Sequence, residues 1–165
     1  IVMLGSSHAR TNKEVHDVVF AIGDTLQETY PQLKNVWFGE KKGLHIDAWM
    51  QINAVQGEGR HYQIQFADTQ PNLHDEKLWL INLGGYDARE FGELHRYILI
   101  VAPSSDLAKQ RGKAYFAMHW QKQHTDRVLE VDDCLPIDCI GGRYIRLLEG
   151  QFFPNQWENT YLCVD

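Results

Sequence analysis

Leu4-Gly5-Ser6-Ser7-His8-Ala9-Arg10 leads to Glu14-Val15-His16 and then to the apolar run Val18-Val19-Phe20-Ala21-Ile22. Leu83-Gly84-Gly85-Tyr86-Asp87-Ala88-Arg89 leads in the same way to Glu93-Leu94-His95 and then to Tyr97-Ile98-Leu99-Ile100-Val101. The offset is 79 residues, Gly5 to Gly84, and it carries on to His45-Ile46-Asp47 against His124-Thr125-Asp126. Such self-similarity marks an internal repeat and sets the architecture before any local reading. Between 4–53 and 83–132, nine of fifty gapless positions are identical, Glu14, His16, His45 and Asp47 among them. Matched apolar positions require only a shared core, whereas matched Glu, His and Asp ask for a further reason.

Each copy reads as two strands, a helix and two more strands. Val18 to Ile22 is continuously apolar, which predicts a strand buried on both faces. Thr25 and Glu28 have the spacing of a capping box, and Leu26, Tyr30, Leu33 and Trp37 form one helical stripe interrupted by Pro31. His45 to Asn53 alternates as a strand, and Gln56-Gly57-Glu58-Gly59 reads as a hairpin turn. The second copy repeats this order, with Ser104 or Ser105 capping a helix weakened by Gly112. The expected fold is therefore α+β: a tandem internal repeat of two ββαββ-like units related by a pseudo-two-fold axis. The first repeat is residues 1–76 and the second 77–165, packed as one globular unit. Tyr161-Leu162-Cys163-Val164 is a spare strand. It either closes the sheet between the halves or adds to a partner's edge.

Composition bounds the function classes. The chain has 165 residues, 44% hydrophobic and 23% charged, with five Trp, seven Tyr and seven Phe to fill a core. The net charge of −6 disfavours nucleic acid as a partner. That reading would revive only if Arg89, Arg96, Arg127, Arg143 and Arg146 lined one face. No apolar run is long enough to span a bilayer, and no signal segment opens the chain. Cys134, Cys139 and Cys163 are neither a disulfide framework nor a zinc pattern, which fits reduced thiols in a cytoplasmic protein.

The unit resembles a family of small bacterial proteins known as a domain of unknown function, in which a half-domain of this kind occurs once or twice per chain. The carrying residues are Glu14-Val15-His16-Asp17-Val18-Val19-Phe20, Gly43-Leu44-His45-Ile46-Asp47-Ala48-Trp49 and Asn82-Leu83-Gly84-Gly85-Tyr86. The second copy departs where the pattern is strongest. Arg96 follows the His in place of Asp, and Arg127-Val128 stand in place of Ala-Trp. The resemblance implies a double-repeat α+β fold and brings no activity.

One constellation can carry chemistry: Glu14 and His16 with His45 and Asp47, echoed by Glu93 and His95 with His124 and Asp126. Residues i and i+2 of a strand share a face, so each pair presents a carboxylate and an imidazole together. A strand–helix–strand connection makes the two strands parallel, which puts both pairs at the same sheet end. If the strands are neighbours the four side chains converge. Two His with carboxylates suit a divalent transition metal such as Zn²⁺, Fe²⁺ or Mn²⁺, or else a His–Asp acid–base pair. The opposing reading is that His and Asp bond to exposed backbone at strand starts. Arg10 and Arg89 stand four before Glu14 and Glu93. They read as ion pairs pinning the loop, or as the charge of an anion site. Trp49, on the polar face of its strand, is the expected exposed Trp. An exposed Trp beside Phe152-Phe153-Pro154 would suggest a homo-oligomer interface. The sequence thus favours a non-enzymatic binding or interaction module. The alternative is a metal-dependent enzyme using the repeated Glu-x-His and His-x-Asp pairs.

Overall fold

The computed structural model describes residues 1–72, 75–86, 89, 91–120 and 127–164; within these, 116–120 and 127–130 are described by their backbone. The chain forms two compact units, each assembled from separate stretches. One comprises 1–53, 140–142 and 153–165; the other comprises 54–139 and 143–152. Residues 54–72 thus pack with the second stretch and 153–164 with the first, crossing the boundary at residue 76 that the repeat suggests. The chain is α+β, as expected.

The first unit is built on β1 (Val2–Ser6), which lies between β2 (Val15–Val19) and β3 (His45–Gln51) and runs antiparallel to both. β2 and β3 are therefore parallel to each other, as a strand–helix–strand connection requires, but one strand apart. The last strand of the chain, β11 (Gln156–Cys163), completes the order β11-β3-β1-β2 by pairing antiparallel with β3. That decides where the spare strand goes. It joins the sheet of the first unit, and Val164 continues the pairing with a hydrogen bond to Leu44 O.

Helix α1 (Leu26–Val36) covers one face of this sheet. Thr25 is extended, and its hydroxyl accepts from Glu28 N at 3.4 Å. Glu28 in turn accepts from Asp24 N at 3.0 Å, so the expected capping box closes one residue earlier than in the usual motif. Pro31 lies inside the helix, which continues past it to Val36. Gln32 ties the helix to the preceding strand through Ile22, accepting from its N–H and donating to its carbonyl. Leu33 meets Val2, Leu4, Val19, Leu44 and Ile46, the alternate residues of three strands. Gly5, His16 and His45 belong to the opposite alternation and lie on the other face. β2 is an edge strand with His16 and Asp17 exposed, not a strand buried on both faces. The apolar run continues beyond it, and Ala21 packs against the core.

The second unit has the same local order. β6 (Lys77–Tyr86) pairs antiparallel with β7 (Leu94–Ala102) on one side and β8 (Arg127–Pro136) on the other. Helix α2 (Ser105–Trp120) lies between β7 and β8 in the chain. Ser104 Oγ accepts from Leu107 N at 3.4 Å, which decides the cap. A Cβ on Gly112 would stand 3.2 Å from Ile81 Cγ2, so this glycine lets the helix approach the sheet closely. Trp79, Ile81, Leu83, Ile100 and Ala108 form the core here. A second sheet runs β4 (Val55–Gly57), β5 (Arg60–Ala67), β10 (Arg143–Glu149), β9 (Cys139–Ile140). The predicted turn joins β4 to β5, with Glu58 and Gly59 both at positive φ (49° and 77°), the conformation a two-residue hairpin loop needs.

One sequence expectation about side chains changes: Trp49 is half-buried against the first core, and among the described side chains the exposed Trp is Trp157. Among the described helices, none is long and apolar enough to cross a membrane.

The cysteines differ in reactivity for a physical reason. Cys139 and Cys163 are exposed, whereas Cys134 is partly covered and its Sγ–H points at Ser105 O. Burial pushes the Cys134 thiol up. Fewer thiolates form at a given pH, so alkylation of the native protein at mildly alkaline pH labels Cys139 and Cys163 first. Peptide mapping over a time course checks this, and the lag at Cys134 narrows as the pH is raised further.

Candidate functional site

Gly5 is where the three central strands of the first unit bring their chemistry together. Its register partners are His16 on β2 and His45 on β3. Side chains at these positions point to the face away from α1, and Gly5 itself contributes none. A Cβ placed on Gly5 would stand 2.7 Å from His45 Nε2, 2.7 Å from Asp47 Oδ2 and 3.0 Å from His16 Cδ2. The absent side chain is thus the space in which the flanking side chains meet across a strand. Sequence reasoning required neighbouring strands for convergence; the glycine between them serves instead.

Asp47 reaches the same point through a bulge. Met3 pairs with Ala48 and Leu4 with Ile46, so Asp47 is the extra residue on β3 with no partner on β1. On the other side of β3, Thr160 and Tyr161 of β11 lie opposite that single residue. Glu14 is contributed by the position immediately before β2.

The four groups form a closed ring of donors. His16 Nε2 lies 3.2 Å from Asp47 Oδ2 and 3.6 Å from Glu14 Oε2. His45 Nε2 lies 3.1 Å from Glu14 Oε1 and 3.4 Å from Asp47 Oδ1. Each carboxylate faces both imidazoles. His45 is the anchor: its side chain is 2% exposed, while that of His16 is 47% exposed. The Tyr161 ring stacks on His45 at 4.3 Å and shields it. His45 Nδ1 lies 2.9 Å from Gly43 O, in the geometry of an N–H donating to a carbonyl. Gly43 adopts φ 75°, a conformation that favours glycine, on the turn that delivers this carbonyl. With the proton on Nδ1, Nε2 carries a lone pair directed into the ring of donors. His45 Nε2 and Asp47 Oδ2 are both buried and neither makes a hydrogen bond.

The loops around the site are pinned to each other. Ser6, fully buried, donates from its hydroxyl to Glu40 O at 2.6 Å, and Glu40 N donates to Ser7 O at 3.3 Å. The segment after β1 is thereby fixed to the turn that carries Gly43. His45 thus bonds to backbone through one ring nitrogen while the other faces the two carboxylates.

A related cluster lies in the second unit. Gly84 pairs with His95 on β7, and a Cβ there would collide with Asp132 and Glu93 oxygens. His95 Nδ1 is 3.2 Å from Asp132 Oδ2, and His95 Nε2 is 4.0 Å from Glu93 Oε2. Sequence reasoning paired Glu93 and His95 with His124 and Asp126, which lie outside the described residues. It missed Asp132. On β8 the register is Gly84 to Glu130, Leu83 to Val131 and Asn82 to Asp133, so Asp132 is the bulged residue there as Asp47 is on β3. The offset on this strand is 85 residues (47 to 132), six more than the 79 that relates β1 to β6. The added length falls in the helical connection, since α2 has 16 residues and α1 has 11. The signal was present: Leu44-His45-Ile46-Asp47 aligns with Leu129-Glu130-Val131-Asp132 once a gap is allowed.

The arginine expectations fare differently. Glu14 turns to the histidines, and among the described residues no ion pair joins it to Arg10. Arg143 pairs with Asp68 at 3.1 Å and Arg146 donates to Thr69 Oγ1 at 2.9 Å, so both are engaged within their own unit.

Gly5→Ala is the substitution that tests this geometry. The new methyl group overlaps three ring atoms or their neighbours, so Glu14, His16, His45 and Asp47 must separate. Overpacking of this kind costs about 1–3 kcal/mol. A lowered melting temperature together with displaced His16 and His45 imidazole resonances is the expected result. An alanine variant with unchanged stability and unchanged resonances would show that the gap is not filled by these groups.

Comparison with known proteins agrees with the resemblance read from the sequence. Residues 11–65 match Domain of Unknown Function (DUF1543), a span that includes Glu14, His16, His45 and Asp47. No curated protein matches the chain. A crystal structure of a protein Il1583 from Idiomarina loihiensis is similar over 99% of this chain and 95% of that one, at 29% identity and a TM-score of 0.72. The similarity thus spans both stretches of the chain and extends well beyond the matched domain.

Proposed function

We propose that this chain is a metal-binding protein whose first unit holds a divalent transition metal, Zn²⁺ foremost, through Glu14, His16, His45 and Asp47. The carrying observation is the spacing of the donors. Each imidazole nitrogen stands 3.1–3.6 Å from an oxygen of each carboxylate, His16 from Glu14 Oε2 and Asp47 Oδ2 and His45 from Glu14 Oε1 and Asp47 Oδ1, so each carboxylate bridges the two rings and would turn one oxygen inward to hold an ion. Zinc–nitrogen and zinc–oxygen bonds of about 2.0–2.2 Å place neighbouring tetrahedral ligands about 3.3–3.6 Å apart. The second support is the state of His45. Its Nδ1–H to Gly43 O hydrogen bond is the outer contact that orients metal-ligating histidines, and it turns Nε2 toward the carboxylates of the site. The third is charge: the two carboxylates carry −2, which a divalent cation neutralises.

Four protein ligands fill a tetrahedron. Catalytic zinc sites keep one position for water, whereas sites with four protein ligands serve structure or storage. The geometry thus favours a binding role over a metal-dependent enzyme. A bound ion would join Glu14, just before the edge strand β2, and His16 on it to His45 and Asp47 on β3, linking the two strands that flank β1 through one point. The related order of β1-β2-α1-β3 and β6-β7-α2-β8, each with a glycine and a bulged Asp at matching positions, supports reading them as two copies of one ancestral unit.

Isothermal titration with Zn²⁺ tests the reading. Wild-type protein stripped of metal should bind close to one Zn²⁺ at this site, and His16→Ala/His45→Ala should lose that binding. Free Zn²⁺ at a hundred times the dissociation constant should stabilise the wild type by about 2.7 kcal/mol. The double variant should show no such rise in melting temperature. Equal Zn²⁺ affinity in both proteins would refute the site.

A further inference from the structure

The second cluster differs from the first in three respects. It has one imidazole, His95, with two carboxylates, Glu93 and Asp132, whose donor atoms lie within 4.8 Å of one another. Its side chains are 28–41% exposed, so no group there is as deeply enclosed as His45. The register position that His45 holds in the first unit is held by Glu130 in the second. Oxygen ligands and fewer histidines shift preference from zinc toward harder ions such as Mn²⁺, which are six-coordinate and retain water. The spacing suits that change. Ligands at about 2.1–2.5 Å in an octahedron stand about 3.0–3.5 Å apart when adjacent; His95 Nδ1 is 3.2 Å from Asp132 Oδ2, while Glu93 Oε2 is 4.0 Å from the other ring nitrogen, Nε2, and would swing round to share an ion with Nδ1. Gly84 clears the space, since a Cβ there would strike Asp132 and Glu93 oxygens.

We propose that Glu93, His95 and Asp132 form a second, open metal site that takes a hard divalent cation such as Mn²⁺, with its remaining positions filled by water or an exchangeable anion. The proposal takes the metal reading of the first cluster as its template. The two sites then divide roles, one closed by four protein ligands and one with positions free for exchange.

The test is Mn²⁺ binding followed by loss of the free-ion electron paramagnetic resonance signal, with Mn²⁺ as the sole added metal. It is done in the His16→Ala/His45→Ala background, so that the first cluster does not contribute. That protein should bind about one Mn²⁺. Adding Asp132→Asn should weaken binding at least about tenfold, and adding Asp68→Asn, whose carboxylate pairs with Arg143, should leave it unchanged. His95→Gln should repeat the loss seen for Asp132→Asn, and it carries the test if the Asp132 variant does not fold. Absence of Mn²⁺ binding in the background protein would overturn the proposal, and so would Mn²⁺ affinity indifferent to both Asp132→Asn and His95→Gln. If Zn²⁺ binding survives His16→Ala/His45→Ala even when Glu93→Gln/His95→Gln silences the second cluster, while Mn²⁺ binding requires Asp132, the first reading fails and this one stands.

Discussion

A missing side chain at Gly5 governs the chemistry of the first unit. β1 separates the two strands that carry the polar residues, and any larger residue at this point would hold them apart. With glycine there, His16, His45 and Asp47 share one small volume, and Glu14 closes it. The arrangement is costly unless something offsets it. His45 Nε2 and Asp47 Oδ2 are buried, and their polar contacts are the close approaches to Glu14 and to His16 rather than regular hydrogen bonds. Buried polar groups ordinarily find well-formed partners. On the proposed reading, a cation would supply a partner for all four groups at once. The Gly43 carbonyl and the Tyr161 ring fix the one histidine that cannot move.

The bulge has a similar logic. A regular β3 would pair Asp47 with β1, and the strand would run on without interruption. Making Asp47 the extra residue frees it from the ladder and bends it toward the glycine. The same device at Asp132 recurs in the second unit. What differs is the ring around it: the first cluster has two imidazoles and a buried anchor, the second one imidazole and greater exposure. Ligand type and ligand count, not fold, distinguish the metals each can hold.

Much of this was legible in the sequence. The shared Gly, Glu, His and Asp pointed to the right strands, and the parallel relation of β2 and β3 followed from the intervening helix. Three things were not legible. The position of β1 between the two strands is a matter of pairing order, which periodicity does not encode. Val18 to Ile22 was read as a strand buried on both faces from its apolar run, yet β2 is an edge strand with His16 and Asp17 exposed. Continuous hydrophobicity reports where a segment meets the core, not how many sheet neighbours it has. Finally, a gapless comparison matched His124 and Asp126 to His45 and Asp47 across a longer helical connection. A single shared Leu-x-aliphatic-Asp pattern places Asp132 at the bulge instead.

X-ray absorption spectroscopy of the Zn²⁺-loaded protein, with Glu93→Gln/His95→Gln to silence the second cluster, tests the central claim most directly. The account predicts four nitrogen or oxygen neighbours at about 2.0–2.2 Å, with the outer-shell scattering of two imidazoles and none from sulfur. A sulfur ligand, or scattering from fewer than two imidazoles, would contradict it.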